Sequence, residues 1–282
     1  MAEPSAGEDL ARVARDRLQQ WQLTQDGTGH RGHGSLVLPV RTSDGAPATL
    51  KIGSSDAESE FEHLALRRWG GAGAVRLLRA DPRRHAVLLE RLRPRSLHDI
   101  ADDEACRVIG DLVRRLHVPA LPQLRSLTAD LDPWARRFDD LPRSAALPRR
   151  LIEQAVASTR DLAAQSANAE VLLHGDLHYG NVLEGSREPW LAISPRPVNG
   201  DPHAELASML WRRWNDFGEH VRDGVRTRFH LLVDACGLDE DLARAWTFVR
   251  VIDAASRALD GGAAVDSPAL TRYVAIAKAL QD

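Results

Sequence analysis

The chain has 282 residues and 31.1 kDa, with 43% hydrophobic, 27% charged and 5% aromatic residues, enough to bury a core in one large or two modest domains. A formal charge of −3 and a sequence pI near 6.4 exclude the global basic field of a nucleic-acid binder. No stretch reaches the ~18 apolar residues of a membrane span, so neither nucleic acid nor a membrane is expected as a partner. Of the 37 Lys+Arg residues only Lys51 and Lys278 are lysines, and each therefore stands out against an arginine background. Cys106 and Cys236 lie far apart and fit no CxxC pattern, as expected for two buried thiols of a cytoplasmic protein.

Glu8 to Trp21 mixes charge with Ala and Leu and reads as a leading helix. Gly27 to Ser35, rich in glycine and histidine, reads as a loop. Leu36–Arg41 and Ala48–Ile52 are strand-like runs separated by Thr42-Ser43-Asp44-Gly45, and Asp-Gly between short apolar runs is a hairpin signal. Asp56 to Trp69 has helical period, with Phe61, Leu64, Ala65 and Arg68 on one side and Ser54 or Ser55 as the cap. Ala74–Arg79 and Ala86–Glu90 return to strand character across Asp81-Pro82.

The pattern changes after Arg93-Pro94. Residues 99–117 are helical, with Ile109, Leu112, Val113 and Leu116 as the apolar stripe, and helices over about 130–140 and 147–166 follow. The stretch 171–200 is compact and non-helical, and helix dominates again from Pro202. The expected organisation is α+β, with a small strand-rich unit over 1–93 and a larger, mostly helical unit over 94–282.

Reactive residue types concentrate at His174-Gly175-Asp176-Leu177-His178-Tyr179-Gly180-Asn181. A loop leaving an apolar strand with two glycines combines backbone freedom with exposed polar groups. An Asp there can orient a hydroxyl and take up its proton, while an Asn carbonyl can ligate a hard cation such as Mg2+. A turn in which both residues only satisfy backbone donors is the bland alternative. A zinc hydrolase triplet of His174, Asp176 and His178 is a third reading, for which no further ligand cluster is evident.

His174 to Asn181, followed by Val182-Leu183, resembles the catalytic loop of the aminoglycoside phosphotransferase family, in its streptomycin 6-phosphotransferase and hydroxyurea phosphotransferase branch. Val37-Leu38-Pro39-Val40-Arg41, Ala74-Val75-Arg76-Leu77-Leu78 and Gly200-Asp201-Pro202 support the resemblance, which runs from about Ser35 to Leu206. It implies a protein-kinase-like two-lobed fold, with a small antiparallel-sheet lobe bearing one main helix and a larger helical lobe. It also implies phosphoryl transfer from ATP with Mg2+ to a hydroxyl of a small molecule. Asp176 then takes the role of catalytic Asp, Asn181 that of the metal-binding Asn, and Lys51 that of the lysine meeting the nucleotide phosphates. The chemistry agrees, since a lysine ending an apolar strand is costly to bury without an anionic partner. Glu58, Glu60 and Glu62 are the candidates to hold that lysine, with Glu62 preferred. Gly29 to Ser35 takes the place of the phosphate-covering loop, and Glu90-Arg91-Leu92 that of the linker whose backbone meets adenine.

One position departs from the family. Relatives carry a metal-holding Asp in a string like Ala-Ile-Asp-Pro, and this chain reads Ala192-Ile193-Ser194-Pro195. A serine hydroxyl supplies neither the charge nor the bidentate reach of a carboxylate. Asp201 is a possible substitute, but Asp before Pro202 is already explained as a helix cap, and Arg196 could offset phosphate charge. A slow kinase, a kinase with rearranged metal ligands, and a pseudokinase that binds nucleotide or ligand in a regulatory role all stay open. Leu206, Leu210 and Trp214 are spaced as a helical core stripe, beside which Trp211 or Asp216 could line an acceptor pocket.

Overall fold

The computed structural model describes residues 6–32, 34–53, 60–165, 170–262, 264 and 267–281. By its internal contacts the chain divides into one unit of Met1–Arg95 with Asn181–Pro197 and another of Ser96–Gly180 with Val198–Asp282.

The first unit opens with helix α1, Ala6–Gln20, then β1, Thr24–Gln25, and β2, His30–Gly32. The hairpin strands β3, Ser35–Arg41, and β4, Pro47–Gly53, follow, then helix α2, Glu62–Trp69, and strands β5, Leu77–Asp81, and β6, Ala86–Glu90. The strands form an antiparallel sheet in the order β1-β3-β4-β6-β5, with β2 paired to β3. Strand alternation decides the faces. Ala48, Leu50 and Ile52 of β4 join Leu38 and Val40 of β3 in a core with Val13 and Ala14 of α1. Thr49 and Lys51 therefore point to the opposite face.

The second unit begins with α3, Asp102–Leu116, α4, Leu127–Asp139, and α5, Arg149–Gln165, followed by the short strand β7, Val171–Leu173. The chain then returns to the first unit as a hairpin of β8, Val182–Glu184, and β9, Trp190–Ala192. It re-enters the second unit as β10, Val198–Gly200, which pairs antiparallel with β7, and ends in α6, Ala207–Leu210, α7, Val221–Cys236, α8, Glu240–Asp260, and α9, Pro268–Ala279. Helix α8 is buried nearly all round, including Trp246, Phe248, Val249, Val251 and Ile252, as a central helix must be. Helices α3 and α7 pack so closely that a Cβ on Gly110 would lie 2.5 Å from the Ala235 carbonyl oxygen. None of the described helices is long and apolar enough to cross a membrane.

The α+β architecture holds, and several local expectations change. The stretch read as loop contains β2, paired to β3 as His30 with Val37 and Gly32 with Ser35, so it is a hairpin. The strand expected from Ala74 begins at Leu77, because Ala74 and Val75 pair instead with Ala192 of β9. Capping by Ser54 or Ser55, and Glu58, fall outside the described residues. Helix α2 buries Glu62, Ala65, Leu66 and Trp69, not the face through Phe61, Leu64 and Arg68. The face was misread because a glutamate occupies one of its inward positions. The expected 206–210–214 stripe is broken too, since α6 ends at Leu210 and Arg213 turns with φ 48°. The first unit also takes residues 181–197, which the sequence reading had left in the second half of the chain. Hydrogen bonds from Val75 N–H to the Ala192 carbonyl, from Arg93 N–H to the Glu184 carbonyl and from Glu184 N–H to the Arg95 carbonyl, each 2.9 Å, tie the β8–β9 hairpin there.

Candidate active site

In the first unit, Lys51 projects from the face of β4 opposite the α1 core. Its ammonium donates to both oxygens of Glu62, at 2.9 and 2.8 Å. The side chains are only 12% and 7% exposed, so this is a largely desolvated ion pair. Such a pair is secure only when both charges stay matched. The same ammonium donates to Ser194 Oγ at 3.2 Å. Glu60 is exposed at the turn before α2. The structure thus brings Lys51, Glu62 and Ser194 to one point.

Ser194 follows β9 with φ 52°, a left-handed conformation that costs a non-glycine residue about 1–2 kcal/mol. The neighbouring Ile193 N–H donates to the Asn181 carbonyl at 2.8 Å, tying the segments of Asn181 and Ser194 together. As ligands for a divalent cation these two residues offer an amide oxygen and a hydroxyl, neither charged. The hydroxyl also stands beside the Lys51 ammonium. Mg2+ is held through carboxylates together with substrate phosphates, so this donor set does not by itself fit the metal. Arg196 is exposed, and Asp201 caps the turn Pro202–Glu205 by accepting from His203 N–H at 2.9 Å.

Ser35 opens β3 opposite Gly53, at the hairpin end of the sheet. Glu90 ends β6, where its N–H donates to the Arg76 carbonyl at 3.0 Å. Its carboxylate accepts from Arg76 N–H at 2.7 Å and from Arg187 Nη2 at 2.8 Å. Leu92 lies just beyond β6 and is half-buried.

In the second unit, β7 delivers the chain into the loop carrying Asp176. Gly175 turns it with φ 81°, which glycine adopts without cost. The N–H groups of His174 and Gly175 donate to the two oxygens of Glu205, at 2.7 and 2.9 Å. Glu205 is 5% exposed, and His117 Nε2 stands 3.7 Å away. Burial pushes this carboxyl up, but His117, His174 and the backbone donor more than reverse the effect and hold it below the usual range. On the same stretch, Ser208 Oγ donates to the Leu177 carbonyl at 2.5 Å. Arg250 Nη2 reaches the Gly175 carbonyl at 3.5 Å, and burial lowers its guanidinium to about 10 against the pull of Glu205 and Asp176.

Farther along the loop, Gly180 N–H donates to His178 Nδ1 at 3.1 Å, while His178 Nε2 lies 3.7 Å from Asp176. Tyr179 is fully buried, donates its hydroxyl to Asp102, and has Arg213 and Arg228 over its ring at 5.1 and 5.4 Å. Burial pushes its phenol far up, so it stays a neutral donor. Asp176 is thus carried on a loop braced at both ends. Among the described residues no group of three or more His, Cys, Asp and Glu is arranged to hold a metal ion, so the zinc triplet is not assembled.

Sequence reasoning missed Glu205, Arg250, Ser208 and Tyr179 as braces of this loop. The one available signal was a glutamate three residues after the Asp201-Pro202 helix start, inside an otherwise apolar run. Trp211 packs edge-on against Tyr273 with centroids 5.6 Å apart, and Asp216 pairs with Arg213.

The fold and these residues define a kinase of the protein-kinase-like class that acts on small molecules. Its architecture is similar to aminoglycoside phosphotransferase APH(4)-Ia in ternary complex with ADP and hygromycin B, with TM-score 0.62 and 16% identity over 94% of this chain and 97% of that one. The family of aminoglycoside/hydroxyurea antibiotic resistance kinases matches residues 20–262, and the chain belongs to it. It is 40% identical to a streptomycin 6-kinase of Streptomyces glaucescens over 93% of this chain and 87% of the relative. It is also 40% identical to a hydroxyurea phosphotransferase of Kitasatospora aureofaciens, over 83% and 69%.

Proposed function

We propose that this kinase moves the γ-phosphoryl group of ATP to a hydroxyl of an aminoglycoside-like antibiotic or amino-sugar-like metabolite, in the cytoplasm and with Mg2+. The observation that carries the reading is the clasped Lys51 ammonium. A cation sunk to 12% exposure and aimed by both oxygens of Glu62 is an expensive device unless an anion comes to it, and nucleotide phosphates are such an anion. The ADP held by the structural neighbour supports nucleotide use. The names of the relatives support antibiotic-like acceptors.

In this reading Asp176 orients the acceptor hydroxyl and takes its proton as the phosphoryl group arrives. Ser35 belongs to the phosphate-covering hairpin, Glu90 and Leu92 to the segment meeting the base, and Asn181 to the metal. No step is routed through the metal, because Ser194 brings no carboxylate to it. The reading is tested by ATP consumption with streptomycin and with hydroxyurea as acceptors. Asp176→Ala should lower turnover about 10²–10⁴-fold, and unchanged turnover would sink the mechanism.

Ser194 itself favours a second reading, a pseudokinase that binds nucleotide or ligand in a regulatory role. Its hydroxyl is committed to Lys51 and adds no charge for a metal. That reading expects no ATP consumption by the wild type with any acceptor, and turnover that emerges in Ser194→Asp. Slow wild-type turnover that Ser194→Asp accelerates supports the kinase reading with an impaired metal site.

A further inference from the structure

The second lysine lies in the other unit, far along the chain from the Asp176 loop. Lys278, exposed near the end of α9, lines a cavity of about 410 Å³ together with Arg222 in the first turn of α7 and Arg150 near the start of α5. This volume falls within the range of small-molecule sites. Val221, Ala275 and Ala279 give the cavity an apolar wall. Its lining therefore contains three cations and, among the described residues, no carboxylate. Arg150 donates to the neutral amide oxygen of Gln281 at 2.6 Å, which leaves its charge uncompensated by that contact. The N-terminal residue of α7, His220, makes no side-chain cap hydrogen bond, so the positive end of a 16-residue helix adds to the same field. Like charges gathered around one cavity repel, and an anion between them reverses the sign of that energy.

We propose that this cavity binds a small amphiphilic carboxylate, its charged head among Arg150, Arg222 and Lys278 and its short apolar body on Val221, Ala275 and Ala279. Arginine forks recognise carboxylates bidentately, and the apolar wall has no partner in a bare ion. None of the lining residues belongs to the Asp176 loop or its braces, so the site is independent of the proposed phosphoryl transfer and does not rest on it.

Octanoate is the probe, titrated calorimetrically into the full chain at low ionic strength. One saturable site is expected, weakened about tenfold or more in the double variant K278E/R222E and weakened by added salt. All three cations are exposed, so K278E alone should melt like the wild type and still bind more weakly. Octyltrimethylammonium, with the same chain and the opposite charge, should not bind, and inorganic phosphate should bind more weakly than octanoate. Equal binding of octyltrimethylammonium, phosphate as tight as octanoate, an unchanged affinity in K278E/R222E, or no saturable heat with octanoate would each overturn the proposal.

Discussion

Each unit buries one glutamate at its part of the candidate site, and the two are used differently. Glu62 faces a side-chain cation, with Lys51 held at 2.8 Å. Glu205 faces the backbone, accepting from the N–H groups of His174 and Gly175. The first arrangement places a charge, and the second shapes a loop. A charge so placed remains available to an arriving anion, whereas a carboxylate occupied by main-chain donors can only hold the conformation that presents Asp176.

The difference breaks most visibly at Glu62. Glu62→Leu leaves Lys51 buried without its anion and should cost about 3–5 kcal/mol in urea unfolding. The double variant Lys51→Met/Glu62→Leu should recover most of that loss while abolishing ATP consumption. A double variant no more stable than Glu62→Leu would show that the two groups are not coupled.

Glu205→Leu should cost about 2–5 kcal/mol, because two buried N–H donors lose their acceptor. No second substitution of a side chain can rescue it, since the partners are backbone. Rescue comparable to the Lys51/Glu62 pair would erase the distinction.

Acid should sharpen the contrast. Glu205 is held below its ordinary value of 4.5, so its stabilising effect is fully present above that value and is lost as pH falls through the depressed one. The gap in urea midpoint between wild type and Glu205→Gln should stay constant from pH 7 to about 5 and close in more acidic solution. A gap independent of pH would contradict the assigned charge.

The smallest effect belongs to Ser194. Ser194→Ala removes one hydrogen bond to Lys51 and should cost about 1 kcal/mol. Ser194→Gly loses the same bond but relieves the left-handed strain at φ 52°, so it should melt higher than the alanine variant. The reverse order would place the strain elsewhere.

Legibility in the sequence followed the same division between side chain and backbone. Lys51 was readable because strand period 2 sets it opposite Leu50 and Ile52, and because lysine is rare in this chain. Glu62 was readable through Lys51, which needed an anion. Yet the face of α2 was misread, since periodicity counts a glutamate as outward and cannot know that its partner is already inside. Glu205 left almost no trace, because main-chain donors have no residue identity to match. The expected stripe through Trp214 failed at Arg213, whose left-handed turn has no glycine to announce it. The β8–β9 hairpin was expected as strand, but its membership of the first unit depends on hydrogen bonds to residues 73–75 and 93–95, nearly a hundred positions away.

That long return has a consequence for synthesis on the ribosome. The first unit cannot be completed when residue 95 emerges, because β8 and β9 are still unmade and the backbone groups of Val75 and Arg93 lack their partners. Helices α3, α4 and α5 must be translated before residue 197 arrives to close it. The N-terminal sheet therefore waits, with its edge open, through roughly as many residues as it already contains. A chaperone that shields β-strand edges from nascent chains would meet this protein during that interval, before Lys51 and Ser194 have come together.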